Sequence, residues 1–191
     1  MTYKDKVFEK DILRGQDFSD CEFINCRFIA VNLKFSSFNK CTFRNCDLSE
    51  NIFDITSFTS CFFPDTNLSN LDLGNANFKN CNFSKVIAKN TVFQQLKGAK
   101  NDNKKFDLKN TDFSDADLSN VLFVYADLTS ANFQKANLES VVFERCNLKK
   151  ADLTSANITS VNFQTSKIED TILDIDGMIY FANSKGFVLE S

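Results

Sequence analysis

The sequence predicts an all-β solenoid, a four-sided β-helix of about 8 coils that ends in a short C-terminal α-helix. Three periodic features lead to this fold class. Large apolar residues occupy every fifth position from residue 8 to residue 173, and 31 of these 34 positions carry Phe, Leu or Ile. A small residue usually stands two positions earlier, and one series of Phe recurs at every twentieth position. A repeat this regular means that most of the chain encodes a scaffold.

The five-residue spacing excludes ordinary helices and straight strands. On an α-helix, five residues advance about 140° beyond a full turn, so the apolar residues would not form a stripe. On a straight strand, side chains alternate with a period of two, so every second Phe or Leu would point into water. The spacing fits a chain that turns a corner every five residues. Each short segment then directs its central residue, and the small residue two positions earlier, into a narrow filled interior.

The twenty-residue series predicts how many sides each coil has. The central positions form four series spaced by twenty residues, and none of the other three is as uniform as the Phe series. A nearly identical residue at every twentieth position indicates four five-residue sides per coil, which gives a rod about 40 Å long. Its small partners start as Cys21, Cys41, Cys61 and Cys81 and continue as Val121, Val141 and Val161. The series itself consists of Phe23, Phe43, Phe63, Phe83, Asn103, Phe123, Phe143 and Phe163.

Individual repeats resemble the pentapeptide repeat family. The motifs that carry the resemblance include Ala-Asp-Leu-Thr-Ser (126–130), Ala-Asn-Phe-Gln-Lys (131–135) and Ala-Asn-Leu-Glu-Ser (136–140). The resemblance covers about residues 6–175. It implies a right-handed quadrilateral β-helix, and the handedness comes from the resemblance alone.

Composition argues against catalysis and metal binding. The chain contains no histidine, only five glycines and no Cys-x-x-Cys pair, so neither a Ser-His or Cys-His couple nor a glycine-rich phosphate loop is expected. All seven cysteines take the small inward position, where a thiol fills space as a small hydrophobe. We therefore expect no enzyme, no catalytic residue, no metal site and no cofactor. The start of the chain lacks an apolar signal segment, which predicts a cytoplasmic protein.

The repeat is interrupted near the middle of the chain. We expect a β-helix over residues 1–173 with a loop or a distorted coil at 95–106, where Gly98 and Asn103 occupy successive central positions. The continuing Phe series favours distortion over an inserted loop of ten residues. The segment is either a tolerated surface excursion or a loop that contacts a partner. Its candidate contact residues are Lys97, Gly98, Lys100, Lys104 and Lys105.

Residues 174–191 depart from the repeat and predict a capping or dimerisation segment. Asp174 or Asp176 suits the start of a helix, and Gly186 suits the position just after its end. Such a helix either only caps the last coil or also joins two copies into a homodimer. The candidate interface residues are Met178, Ile179, Phe181, Phe187 and Leu189.

Charge is distributed unevenly along the chain. Residues 1–93 carry 11 basic and 11 acidic residues, residues 94–107 carry 4 and 2, and residues 108–191 carry 7 and 12, so the net charge of −5 in the last part outweighs +2 before it. The acidic excess is either an ordinary solvated face or a surface that competes for a groove made for DNA. The candidate residues of this face are Asp112, Asp115, Asp117, Asp127 and Asp152.

The two ends of the chain resemble the Qnr and MfpA branch of the pentapeptide repeat family. The resemblance rests on Val7-Phe-Glu-Lys-Asp-Ile-Leu and on the ending Gly186-Phe-Val-Leu-Glu. It implies a dimeric rod that imitates duplex DNA, binds DNA gyrase and topoisomerase IV and protects them from quinolones. Two rods joined end to end would span about 80 Å, or roughly 24 base pairs. We expect no direct binding to nucleic acid or membrane. The alternative is an interaction scaffold with another regulatory role and no link to topoisomerases.

Overall fold

The computed structural model describes residues 1–10, 12–94, 106–188 and 190. One α-helix, α1, spans Ile175–Ser184. The strands are short and parallel to their partners. They are β1 (Thr2–Lys4), β2 (Val7–Glu9), β3 (Asp17–Ser19), β4 (Glu22–Ile24), β5 (Arg27–Ile29), β6 (Ser37–Asn39), β7 (Thr42–Arg44), β8 (Ser57–Thr59), β9 (Asn77–Lys79), β10 (Val92–Gln94), β11 (Phe106–Asp107), β12 (Leu122–Val124), β13 (Ala126–Asp127) and β14 (Val142–Glu144).

These strands form a four-sided parallel solenoid of about seven turns, which confirms the predicted fold class. Residues pair with residues twenty positions later, as Phe23 does with Phe43. We call the sides faces A to D and identify each by its large inward residues. Face A carries Phe23, Phe43 and Phe63; face B carries Phe28, Leu48 and Leu68; face C carries Leu33, Phe53 and Leu73; and face D carries Phe38, Phe58 and Phe78.

The corners between faces explain why five residues make one side. The second residue after each inward centre adopts a left-handed conformation at almost every described corner, for example Asp20 with φ 52° and Asn45 with φ 50°. Its backbone N–H then donates to a carbonyl of the next coil, as Asp20 does to Asn39 at 2.9 Å. Asn and Asp tolerate this conformation better than most residues, which accounts for their abundance at corners.

The interior consists of stacked aromatic rings and small side chains. The rings of Phe23 and Phe43 stack at 4.7 Å with an interplanar angle of 4°. Every cysteine is buried, as its position in the repeat predicts. The Cys46 thiol donates to the Phe23 carbonyl at 3.4 Å. Burial raises the pKa of Cys46 to about 12, so this thiol remains protonated near neutral pH.

The register across the interruption corrects the sequence interpretation. Asn82 pairs with Asp112 and Ile87 with Asp117, a step of thirty residues where the other coils step by twenty. Phe83 accordingly stacks on Phe113, and Phe123 stacks on Phe93. Ten residues are therefore additional to the coils, and the preference for a distorted coil was wrong. The series read from the sequence, from Phe83 through Asn103 to Phe123, therefore combines residues of two different columns of the structure.

The predicted contact residues of the interruption lie outside the described part of the chain. These residues are Lys97, Gly98, Lys100, Lys104 and Lys105. Among the described residues, sheet pairing on face D runs from β3 to β9 and continues separately between β11 and β13. Across this break, Asn77, Phe78, Leu108 and Thr111 line a cavity of about 410 Å³.

The C-terminal helix begins where the sequence predicts. The Asp174 carboxylate accepts a hydrogen bond from the Gly177 N–H at 2.8 Å and so caps the helix. Lys185 ends the helix, and Gly186 follows with φ 87°, a conformation that favours glycine. Phe181 lies against Phe163 of the last coil, with ring centroids 6.1 Å apart. The helix therefore covers part of the open end of the solenoid.

Candidate protein-interaction surface

The candidate acidic residues lie on three adjacent faces of the solenoid. Asp112 and Asp152 belong to one column of face A, and each pairs with Asn132 between them. Asp117 lies on face B in a column with Asn137, and Asp127 lies on face D in a column with Asn147. Asp115 forms the corner between faces A and B, with φ 56°. The five carboxylates thus form a broad acidic surface rather than a single face.

The two carboxylates on face A bind neighbouring groups of the scaffold. Asp112 accepts hydrogen bonds from the Ser114 N–H and from the Asn132 side-chain amide, both at 3.0 Å. Asp152 accepts from the Thr154 N–H at 2.9 Å and from the Gln134 side-chain amide at 2.7 Å. Burial opposes ionisation of Asp152, but these bonds outweigh it and lower the pKa of this carboxyl. Both carboxylates are therefore held in fixed positions.

The carboxylates on faces B and D also face lysines. Asp117 lies 2.9 Å from the Lys89 ammonium, and Asp127 lies 3.5 Å from the Lys109 ammonium. Burial opposes ionisation of Asp117, but the hydrogen bond from Lys89 outweighs it and lowers the pKa of Asp117. These lysines offset part of the negative charge. The sequence did not indicate either ion pair. Asp117 and Lys89 lie 28 residues apart across the register step, and Asp127 and Lys109 lie 18 residues apart in adjacent coils.

Asp115 is the most available of the five carboxylates. Its side chain is exposed, and its backbone N–H donates to the Gln134 carbonyl at 3.0 Å. Asp65 occupies the equivalent corner between faces A and B in an earlier coil, with φ 55° and an exposed side chain. The two residues share one local geometry but differ in the charge around them, which makes them a matched pair for experiment.

The C-terminal segment presents an apolar surface. A groove of about 150 Å³ is lined by Met178, Ile179, Ala182, Asn183, Phe187 and Val188. Met178 is exposed, and Phe187 exposes 70% of its surface. Phe181 contributes instead to the cap over Phe163, so its predicted position at an interface is only partly accessible. Leu189 lies outside the described residues.

The end of the solenoid is incompletely covered. Ile168 occupies an inward position of the repeat but exposes 51% of its surface. Its counterpart one coil earlier, Leu148, is fully buried. The helix therefore leaves Ile168, an inward residue of face D, partly open to solvent.

Other site classes have little support in the described residues. None of the described residues form a group of three or more His, Cys, Asp or Glu side chains that could hold a metal ion. Within the same residues, no helix has the length and apolar character needed to cross a membrane.

Sequence reasoning missed an exposed apolar patch in the first coils. Phe35 and Ile55 stand at corners, two positions after an inward centre, where polar residues predominate. The signal was present in the sequence, because both residues are out of phase with the apolar repeat. It becomes meaningful only once the corner conformation is known.

Comparison with protein families agrees with the repeat architecture. The family described as "Pentapeptide repeats (8 copies)" matches residues 12–45, 26–63 and 65–95. A related description, "Pentapeptide repeat region", matches residues 104–173. Together these matches cover most of the chain. A comparison with curated protein sequences gave no match.

Solved structures with a similar fold have low sequence identity to this chain. A trypsin-treated variant of QnrB1, a plasmid-mediated fluoroquinolone resistance protein, is 17% identical over 100% of this chain and 98% of its own, with a TM-score of 0.47. HetL from the cyanobacterium Nostoc, which is involved in the regulation of heterocyst differentiation, is 18% identical over 93% of this chain and 88% of its own, with a TM-score of 0.42. Rfr23 from the cyanobacterium Cyanothece is 23% identical over 62% of this chain and 64% of its own, with a TM-score of 0.34.

Proposed function

This chain belongs to the pentapeptide repeat family, and on that premise we propose that it is a non-enzymatic protein-binding rod of the cytoplasm. Its C-terminal coils imitate duplex DNA, bind a type II topoisomerase such as DNA gyrase or topoisomerase IV, and protect that enzyme from quinolones. The observation that carries the proposal is the set of fixed carboxylates on three adjacent faces, in the part of the chain that carries a net charge of −5.

The fixed positions of the carboxylates favour recognition by a basic groove. Asp112 and Asp152 are held by hydrogen bonds to their own coil and to neighbouring coils, so binding does not need to order their side chains. A surface with preorganised negative charge attracts a groove that evolved for phosphates, and it raises the rate of association. The resemblance of both chain ends to the Qnr and MfpA branch supports the same partner.

The proposal includes a homodimer formed through the C-terminal end. Each copy offers the apolar groove beside Met178 and Phe187 together with the partly open last coil at Ile168. A two-fold contact would bury both features on both copies at once. With about seven turns per copy, the dimer would span about 70 Å, or roughly 20 base pairs of duplex DNA.

A gyrase assay tests the central claim. Supercoiling and quinolone-induced DNA cleavage are measured with purified enzyme at increasing protein concentration. We expect Asp115→Lys to weaken the effect about tenfold, because it reverses an exposed charge on the acidic surface. Asp65→Lys makes the same change at the equivalent corner of an earlier coil and should leave the effect unchanged. No effect of the wild-type protein on either topoisomerase would reject the proposed partner.

Light scattering tests the dimer separately. Met178→Asp and Phe187→Asp place charge in the apolar groove and should reduce the measured mass to that of one chain. Ile175 lies on the same helix, exposes 78% of its surface and does not line the groove, so Ile175→Asp serves as the matched control. A dimer that survives both groove variants would reject this interface.

The second candidate function is an interaction scaffold with no topoisomerase partner. It is favoured by the ion pairs of Asp117 with Lys89 and Asp127 with Lys109, which engage part of the acidic surface within the protein. In that case the protein would leave both topoisomerases unaffected while the C-terminal dimer persisted in light scattering.

A further inference from the structure

Among the described corners with positive φ, two carry a large apolar residue, which this conformation disfavours. Phe35 has φ 66° and Ile55 has φ 54°, both in the left-handed region. Among the described corners with positive φ, Ile55 is the only β-branched residue, and a β-branched residue in this conformation is a genuine outlier. Such local strain concentrates at functional sites.

Neither of these two strained residues is buried. Phe35 exposes 51% of its surface and Ile55 exposes 58%. Their N–H groups donate to Asp54 and Asn75 of the following coils at 3.3 and 3.0 Å, so the two side chains stand one above the other at the same corner. A polar residue would serve the fold better at both positions, and the apolar side chains therefore need an explanation outside the scaffold.

Further exposed apolar side chains lie on face C, which adjoins this corner. Ile12 and Ile52 are both exposed, and Ile52 pairs with Asn32 of the coil between them. We call this surface the corner patch. It consists of Ile12, Arg14, Lys34, Phe35, Ile52 and Ile55.

Two cations are positioned over the Phe35 ring. The Lys34 ammonium lies 5.2 Å and the Arg14 guanidinium 6.0 Å from its centre. Lys34 also pairs with Asp54 at 2.5 Å, whereas no acidic partner of Arg14 is found in the described part of the chain. The ring and the cations attract each other electrostatically, which keeps the positive charge at the edge of the apolar surface.

A cleft adjoins the other end of the patch. It has a volume of about 250 Å³ and is lined by Asn51, Ile52, Phe53, Asp54, Asp72 and Asn75. Parallel bridges join Asn32 to Ile52 and Asp72 to Val92, but within residues 12–94 none joins Ile52 to Asp72. The cleft therefore opens where face C loses its pairing, between the coils that contain these two residues.

We propose that the corner patch docks an acidic amphipathic segment of another protein. A large apolar side chain of that segment lies in the cleft beside Ile52 and against Ile55 and Phe35, and a carboxylate of the segment meets Arg14. Arg14 attracts the carboxylate of such a segment, whereas the acidic C-terminal surface would repel it.

The patch also indicates how the partner's residues are spaced. The backbone at Arg14 lies two coils before the backbone at Ile52, an axial separation of about 10 Å at the usual distance between paired strands. An extended chain advances at most about 3.3–3.6 Å per residue, so the carboxylate and the apolar anchor stand roughly three residues apart. Asp54 and Asp72 at the cleft repel a carboxylate placed there, which sets the direction of the segment.

A second copy of this chain fits the patch less well than a different protein. This step rests on the proposed C-terminal dimer. A second two-fold contact on the side of the same rod would join dimers into an open chain, because both symmetry axes would cross the long axis of the rod at different heights. The experiment described below therefore also compares the mass of the wild-type protein in solution with that of the variant.

Phe35→Asn and Ile55→Asn remove the two strained apolar side chains of the patch without endangering the fold. Asn tolerates the left-handed conformation, so we expect the double variant to raise the melting temperature by about 2–4 °C. Ile87 is an exposed isoleucine on face B, and Ile87→Asn provides the matched control for loss of apolar surface.

A random linear-peptide phage library, depleted on the double variant and then selected on the wild-type protein, tests the partner's chemistry. We expect enriched sequences with a large apolar residue and Asp or Glu about three positions apart. As free peptides they should bind the double variant and Arg14→Glu at least about tenfold more weakly than the wild type or Ile87→Asn.

Three outcomes would overturn the proposal: no enriched peptide, enriched peptides without acidic residues, or equal binding to the double variant. A wild-type mass that falls in the double variant would assign the patch to a second copy instead. The topoisomerase assay is independent of this result, because neither substitution lies on the acidic surface.

Discussion

The coils before and after the interruption have the same backbone but are filled differently. Face D carries Phe38 and Phe58 before it and Leu128 and Leu148 after it, all with almost no exposed surface. The small inward positions show the same contrast, with Cys26 and Cys46 preceding Ala116 and Ala136 on face B. The corners continue unchanged, as in Asn45 and Asn120 with φ 50° and 59°. The corners therefore define the coil, while the size of the inward residues can vary between columns.

The outer surfaces of the two regions also differ. Outward side chains do not determine the coil, so charge and apolar surface can vary independently of the fold. The first coils carry balanced charge and the corner patch, whereas the last coils carry the acidic surface. Two surfaces of opposite character can thus coexist on one rod, which is the basis for proposing two different kinds of partner.

The largest expected effect comes from cavities made in the core before and after the interruption. Phe58 stacks on Phe38 and on Phe78, each at 5.0 Å, so Phe58→Ala should lower the free energy of unfolding by about 3–5 kcal/mol. Leu128→Ala creates a smaller cavity on the same face after the interruption and should cost about 2–5 kcal/mol. Denaturant unfolding followed by circular dichroism measures both values.

Ile87→Ala, at an exposed position, serves as the control and should change the free energy of unfolding by less than about 0.5 kcal/mol. A larger loss for Leu128→Ala than for Phe58→Ala would contradict the view that the aromatic columns stabilise the first coils more than leucine stabilises the later ones.

A pH-dependent effect should distinguish the cysteine-containing coils from the alanine-containing ones. Burial raises the pKa of Cys46 from 9.0 to about 12, so the unfolded chain loses this proton at lower pH than the folded protein. The stabilisation is complete below about pH 9 and declines by about 1.4 kcal/mol per pH unit as the pH rises toward 12. Cys46→Ala should remove this part of the decline, as measured by denaturant unfolding between pH 8 and pH 11.

Ala136→Ser supplies the comparison in a later coil, since it introduces no group that titrates in this range. Parallel pH profiles for the wild type and Cys46→Ala would show that the thiol ionises as readily in the folded protein as in the unfolded chain.

Most of the fold, but little of the candidate surface, follows from the sequence. The five-residue period predicts the coils and the buried positions of the cysteines because every inward residue obeys it. The register step was missed because ten extra residues equal two five-residue segments and leave the period unchanged. In addition, both columns at the break continue with Phe, since Phe83 stacks on Phe113 and Phe93 stacks on Phe123. Phase alone does not reveal which coil stacks on which.

The surfaces depend on information that the period does not contain. The contacts of Asp117 with Lys89 and of Asp127 with Lys109 follow from the three-dimensional register and from side-chain reach. Likewise, Phe35 and Ile55 become unusual only when their corner conformation is known. Both features require the coordinates of neighbouring coils.

The smallest expected effect tests whether the corners are equivalent in the two regions. Ser60 and Ser140 occupy corners before and after the interruption, with φ 54° and 57°. Asn is favoured over Ser in this conformation, so Ser60→Asn and Ser140→Asn should each stabilise the protein by about 0.5 kcal/mol. The sites are far apart, so the double variant should gain the sum of the two effects within about 0.5 kcal/mol. Thermal unfolding measures all three variants. If only one position responded, the corners would not be interchangeable, and the fold would depend on the differing interiors as well as on the shared turn.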